Sequence, residues 1–145
     1  MTTEGGGPEL GQQEALDVVC GLIERGGLVL LAQRARGKSQ GGLWEFPGGK
    51  LERGEEARAG LERELREELG VRVIVGEALS PRLHRYGARV VRLLPFRCVL
   101  AEGEPEAHEH EALRWCLPQE AEALELVPAD RPVLTAYMLG LAGGD

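Results

Sequence analysis

Glu64, Glu67 and Glu68 stand at positions i, i+3 and i+4 of a segment patterned as a helix, and side chains so spaced converge on one helical face. Like charges at such spacing cost about 0.2–0.5 kcal/mol per pair. A hard divalent cation removes that repulsion, and carboxylate oxygens are the ligands magnesium prefers. The chemistry open to such a patch is metal-assisted attack of water on a phosphorus centre, with charge neutralised on both the entering and the leaving oxygen. Taken alone, a cluster of glutamates on a helix is more often a solvated acidic face, so the surrounding residues decide.

The helix is expected over residues 56–69, with Gly70 as its C-terminal stop. At ~100° per residue, Ala57, Leu61, Leu65 and Leu69 fall along one apolar stripe. The carboxylate patch overlaps the near edge of that stripe and should face a cleft, whereas Arg58, Glu62 and Arg66 lie beyond the far edge, in water. Apolar runs at 16–23 and 28–32, separated by Glu24-Arg25-Gly26-Gly27, read as a hairpin. Residues 34–42 read as a polar loop. Trp44-Glu45-Phe46 is a short strand stopped by Pro47-Gly48-Gly49. Residues 71–75, 90–100 and 112–117 read as further strands, with Pro95 bending the second or placing it at an edge. Residues 119–125 and 132–141 read as helices. The irregular alternation, without internal repeat or interior linker, points to a single α/β domain: a mixed β-sheet sandwiched between helices.

The bulk properties narrow the functions. The 145 residues suit one domain, and 43% hydrophobic content excludes global disorder. No apolar run approaches the roughly 18 residues that span a bilayer. Residues 1–13 are polar and Gly-rich, with neither the basic nor the apolar region of a signal peptide. They read as a disordered tail ahead of a domain over 14–142. Cys20, Cys98 and Cys116 are odd in number and far apart, as expected of reduced thiols in a cytoplasmic protein. A net charge of −7 argues against holding duplex nucleic acid. It also means that a phosphate polyanion needs a bridging cation to bind here. Monomer and homodimer are both open.

One spacing goes further. Gly49, five residues, Glu55, seven residues, Arg63-Glu64-Leu65, one residue, Glu67-Glu68, one residue, Gly70-Val71 resembles the full box of the Nudix hydrolases, with every defining position filled. The resemblance implies a Nudix fold and magnesium, or manganese, held on the substrate's phosphates by Glu64, Glu67, Glu68 and the backbone carbonyl of Gly48 or Gly49. It also implies that Arg63 pairs with a carboxylate of the box, Glu55 being the expected one, and that the catalytic set includes Arg63, Glu64 and Glu67.

The flank Trp44-Glu45-Phe46-Pro47-Gly48-Gly49-Lys50 is similar to the MutT-type nucleoside triphosphate pyrophosphohydrolases. By that similarity Arg34 contacts the nucleotide's phosphate or sugar. Phe46, Tyr86 and Arg89 lie at the base pocket, Phe46 serving also as core, and Glu109 is an additional loop carboxylate that reaches the metals. The implied reaction is NTP plus water to NMP plus pyrophosphate, in the manner of an 8-oxo-dGTP diphosphatase that sanitises the nucleotide pool. Asp130 stands where MutT has a base-reading Asn. An Asp keeps the acceptor and loses the amide donor unless it is protonated, and an ionised Asp suits the exocyclic amine of cytosine. Pro128-Ala129-Asp130-Arg131-Pro132 also resembles the end of the CTP pyrophosphohydrolases, which makes CTP or a modified dCTP the alternative substrate. Asp130 is equally placed to cap the helix that follows. His108 and His110 invite a transition-metal reading, although histidines in an acidic loop are usually just exposed. A non-catalytic nucleotide-binding module is the alternative of another class.

Overall fold

The segment after residue 14 is apolar on both parities, as a strand covered on both faces must be. In the computed structural model, which describes residues 15–143, this segment is β1 (Ala15–Arg25), the central strand of the sheet. The expected tail at 1–13 lies outside the described residues. Gly26 and Gly27, both at positive φ (57° and 84°), turn the chain tightly into the antiparallel β2 (Leu28–Gln33).

β1 and β2 share only Glu24↔Val29 and Arg25↔Leu28. Beyond those pairs β2 continues toward β3 (Trp44–Glu45). The edge it leaves on β1 is taken by β4 (Gly48–Lys50), paired Val18↔Lys50 to Cys20↔Gly48. Gly48-Gly49 therefore does more than stop a strand: the pair is itself a strand, paired with Val19 and Cys20 of β1, and Gly48 leaves no room there for a side chain. A Cβ on Gly48 would run into the carbonyl of Val19.

On its other side β1 runs parallel to β7 (Arg89–Glu102) from Ala15↔Val90 to Glu24↔Val99. β7 in turn pairs with β5 (Arg72–Ala78) and β6 (Arg82–Tyr86), both antiparallel. β6 was not expected from its sequence, in which arginine and histidine interrupt the apolar pattern. Of the two expectations for Pro95, a bend or an edge position, the edge position does not hold, because the residue lies in an interior strand. Its carbonyl accepts from Leu79 N–H (2.9 Å) in the break between β5 and β6, so its missing N–H falls where the neighbouring ladder is already interrupted. β8 (Ala112–Cys116) completes the eight-stranded sheet against β2.

Helices cover both faces. α1 (Ala57–Leu69) presents Leu61, Leu65 and Leu69, all fully buried, to Val19, Ile23, Leu30, Val73 and Phe96. α2 (Pro118–Glu122) and α3 (Arg131–Gly143) cover Cys20, Leu22, Val29, Leu31 and Cys116 on the opposite face. The alternation of β1 divides it between the two cores: Val19 and Ile23 meet α1, while Cys20 and Leu22 meet the α3 side. All three cysteines are buried free thiols. Among the described residues no helix is long and apolar enough to cross a membrane.

The Leu65→Ala variant tests how firmly α1 is seated. Urea unfolding should show a loss of about 2–5 kcal/mol, the range for truncating a buried leucine; a loss below about 1 kcal/mol would mean that the stripe does not hold the helix.

Candidate active site

The ends of α1 are fixed before its side chains act. Glu56 caps the N-terminus, its carboxylate accepting from Arg58 N–H and Ala59 N–H at 3.1 Å, where negative charge opposes the positive end of the helix dipole. Gly70 closes the C-terminus in the left-handed conformation (φ 72°), its N–H bonded to Arg66 O at 2.9 Å.

Between these caps Glu64 and Glu68, one turn apart, face a cavity of about 620 Å³ that wraps the β4 edge of the sheet. Gly49 permits the approach: a Cβ there would collide with the Glu64 carboxylate. Glu68 is 9% exposed, and its Oε1 is buried without a hydrogen-bond partner. Burial first, then the charge and hydrogen bond of Glu64 and the charges of Glu45 and Glu109, push its carboxyl up to about 9. Glu67 departs from the expected patch. Its side chain is 55% exposed at the rim, where Arg63 Nη1 holds it at 3.1 Å. With 3.6 residues per turn Glu67 lies about 60° round the helix from Glu64 and about 100° from Glu68, which is enough to move it from the cavity to its edge.

Arg63 is the hinge of the charged network. Its Nε and Nη2 donate to Glu55 Oε2 and Oε1 at 2.7 and 2.9 Å, a bidentate pair. Its Nη1 reaches Glu64 at 3.2 Å, and its Nη2 donates to Lys50 O at 3.3 Å. The guanidinium, helped by the Glu52 N–H, holds the Glu55 carboxyl down at about 2. Glu55 thus stays ionised, and through Arg63 it steadies both Glu64 and Glu67.

The rest of the cavity wall carries Arg34, Phe46, Tyr86, Arg89, Glu109 and Asp130. Arg34 Nε donates to Ser39 O at 2.7 Å, and its Nη1 meets Glu45 Oε1 at 3.1 Å. Phe46 is buried in the α3-side core and also lines the cavity. Tyr86 and Arg89 face each other across the β6–β7 turn. Asp130 lies in a 3₁₀ turn, Pro128–Asp130, ahead of α3. It does not act as the expected helix cap: its Oδ2 accepts from Phe46 N–H at 2.8 Å, 84 residues away in the chain. Burial dominates its environment and pushes its carboxyl up to about 8. The loop histidines are not merely exposed either, since the His110 side chain is 7% exposed and bonds Glu45 Oε2 at 2.9 Å.

Four contributors were missed from the sequence, Glu45 and the loop residues Lys38, Ser39 and Gln40, which line the same cavity. Glu45 was hidden inside a segment read as a short strand, with no role given to its carboxylate. Gln40 carried no local signal, although its φ of 59° marks it as the non-glycine residue of positive φ among the described residues.

Do these residues fit a divalent cation? The donors are all oxygen, and Glu68 Oε1 is an acceptor in want of a partner, so they do. Among the described residues no three His, Cys, Asp or Glu side chains form a ready cage.

A sheet held between α1 and α3, with this glycine–glutamate cluster along its β4 edge, defines a class. Residues 14–137 match the family described as NUDIX domain, and the chain belongs to that family. Among relatives, the chain is 46% identical over 123 residues to the CTP pyrophosphohydrolase of Escherichia coli strain K12, covering 85% of this chain and 91% of that protein. It is 38% identical over 82 residues to the 8-oxo-dGTP diphosphatase of Proteus vulgaris, covering 56% of this chain and 73% of that protein. The solution structure of the E. coli ORF135 protein superposes with a TM-score of 0.82 at 44% identity, covering 94% of this chain and 99% of that one.

The buried carboxyl gives a stability test. Glu68 titrates higher folded than unfolded, so its neutral form is favoured on folding. Folding is then penalised progressively as pH rises from the ordinary carboxylate range toward about 9. In EDTA-containing buffer Glu68→Gln should melt above the wild type, by a margin that widens from pH 5 to about pH 9, while magnesium should raise the Tm of the wild type alone. A variant that melts lower than the wild type at every pH would show that Glu68 is not held against its own charge.

Proposed function

We propose that the protein is a magnesium-dependent nucleoside triphosphate pyrophosphohydrolase that releases a nucleoside monophosphate and pyrophosphate. One observation carries the reading: Glu68, buried with an unpartnered oxygen beside Glu64, stands in the same cavity as Arg34, Tyr86 and Asp130. Anionic oxygens gather at one part of that wall, and groups able to hold a sugar and a base at another.

Glu64, Glu68, Glu109 and the backbone of Gly48 would hold the magnesium, or manganese, with Glu67 at the rim. When bound, the ion neutralises phosphate charge and lowers the pKa of a water. Arg63 keeps Glu64 and Glu67 in place, and Glu55 keeps Arg63 in place. Arg34 takes a phosphate or sugar oxygen, and Phe46 and Tyr86 supply apolar surface for the base beside Arg89. Every carboxylate of the box is present, which supports a catalyst over a non-catalytic nucleotide-binding module. The buried thiols and the acidic surface fit a cytoplasmic enzyme working on free nucleotides.

Asp130 reads the base. Its Oδ2 is committed to Phe46 N–H, which leaves Oδ1 for the substrate. Below about pH 8 the carboxyl is neutral, and its O–H restores the donor that an Asn would supply, suiting a carbonyl of oxidised guanine. Ionised, it accepts from the exocyclic amine of cytosine. The two substrate classes, 8-oxo-dGTP and CTP-like nucleotides, therefore meet the same residue in two protonation states.

Hydrolysis should require magnesium or manganese and stop in EDTA. In ¹⁸O-water the label should appear in nucleoside monophosphate or pyrophosphate; label confined to orthophosphate would contradict the proposed cleavage. Glu68→Gln should lose on the order of 10²-fold or more in kcat, as removal of an electrostatic catalytic group does, whereas Glu62→Gln, on the exposed face, should be silent.

The ratio of kcat/KM for CTP over 8-oxo-dGTP should rise between about pH 6.5 and 9, since kcat/KM reports the ionisation of the free enzyme. Asp130→Asn should flatten that rise, leaving the ratio near the wild-type value at low pH and moving it toward 8-oxo-dGTP by roughly tenfold at about pH 9, the effect of one buried polar contact changing partner. An unchanged ranking in the variant would move base reading to Tyr86 and Arg89.

A further inference from the structure

The loop that carries Glu109 is tied down at both sides of that residue. On one side it caps α1. Glu106 N–H donates to Leu69 O at 3.0 Å, and His108 N–H donates to Glu68 O at 3.2 Å. The His108 ring adds a third bond, Nδ1 to Glu67 O at 3.1 Å. A backbone carbonyl can only accept, so Nδ1 carries the proton. With Gly70 N–H on Arg66 O, all four terminal carbonyls of the helix are then satisfied. Gly70 lies directly under the imidazole, where a Cβ would stand 3.0 Å from His108 Cε1.

On the other side His110 turns inward. Its ring is 7% exposed, and its Nε2 donates to Glu45 Oε2 at 2.9 Å, while Glu45 Oε1 receives Arg34 at 3.1 Å. One residue further, Glu111 N–H donates to Gln33 O at 2.8 Å. Glu109 itself is exposed at the cavity mouth, with nothing in its own side chain to fix it among the hydrogen bonds of the described residues.

We propose that His108 and His110 are positioning residues that clamp Glu109 over the Glu64–Glu68 pair, His108 by anchoring its loop to the helix that bears that pair and His110 by anchoring it to Glu45. A free loop glutamate loses side-chain and backbone freedom when it joins an ion; a loop already bonded on both flanks has lost most of it in folding. Through Glu45 the same clamp touches Arg34, so the arm that receives the nucleotide and the arm that carries Glu109 lean on one carboxylate. The inference rests on the reading of Glu109 as a metal ligand.

The test is manganese binding to the substrate-free enzyme, followed by the EPR signal of unbound Mn²⁺. Glu109→Gln, His108→Ala and His110→Ala should each weaken binding by about tenfold or more, the scale on which loss of a ligand or its orienting partner acts. His108→Asn and His110→Gln, whose amides reproduce Nδ1 and Nε2, should restore it. Each histidine variant combined with Glu109→Gln should bind no more weakly than Glu109→Gln alone. Two results would overturn the proposal. If Glu109→Gln weakens binding and the alanine variants do not, the clamp is wrong while the ligand stands. If Glu109→Gln binds as the wild type does, the ligand assignment falls, and the clamp with it.

Discussion

Carboxylates taken out of water beside one another are costly to hold, and the local structure of this protein is organised to keep them there. Glu68 is buried with an oxygen unpartnered and its neighbour Glu64 a turn away. No cation among the described residues reaches Glu68 Oε1, and on α1 itself only Arg63, 3.2 Å from Glu64, offsets that placement. It is enforced from outside: Leu61, Leu65 and Leu69 sink the helix into the sheet at a fixed rotation, and the carboxylates at the border of the apolar stripe are carried in with it. The hydrophobic stabilisation of three buried leucines, roughly 1.5–3 kcal/mol each, is large enough to hold a repulsion of this kind in place.

Two exchanges follow from that constraint. The backbone must come close to the carboxylates, so side chains are removed where they would intervene: Gly48 lies against β1 and Gly49 against Glu64. Positive charge must be near without filling the cavity, so a single guanidinium stands at the rim and touches Glu55, Glu64 and Glu67 together. A lysine could not serve there, because a point charge cannot hold a bidentate pair and two further carboxylates at fixed angles.

Much of this was legible in the residues. The helix with its stripe, the hairpin at Gly26-Gly27 and the Gly-Glu-Arg spacing of the site are all local periodicities or short-range patterns. What escaped was set by partners distant in the chain. β6 exists because β7 offers it an edge, not because its own residues demand a strand. The position of Pro95 depended on where β5 stops. Asp130 looked like a helix cap from its neighbours, and instead bonds a backbone N–H 84 residues earlier. Glu67 and Glu68 looked equivalent by spacing, and the sheet separated them into rim and interior. His110 was taken as loop surface, although Glu45 draws its ring inside.

The long parallel ladder between β1 and β7 sets a limit on how the molecule can be assembled. Its register joins Ala15 to Val90 and Glu24 to Val99, so the central strand waits some 75 residues for the neighbour that secures it. All of the box lies within that interval. During synthesis α1 is finished after β1 to β4 but before β5 to β8, and a ladder of such separation is slow to close. The leucines of the acidic helix can already meet Val19, Ile23 and Leu30 of β1 and β2, made before it, whereas Phe96 and Cys98 of β7 complete that core only when the ladder closes.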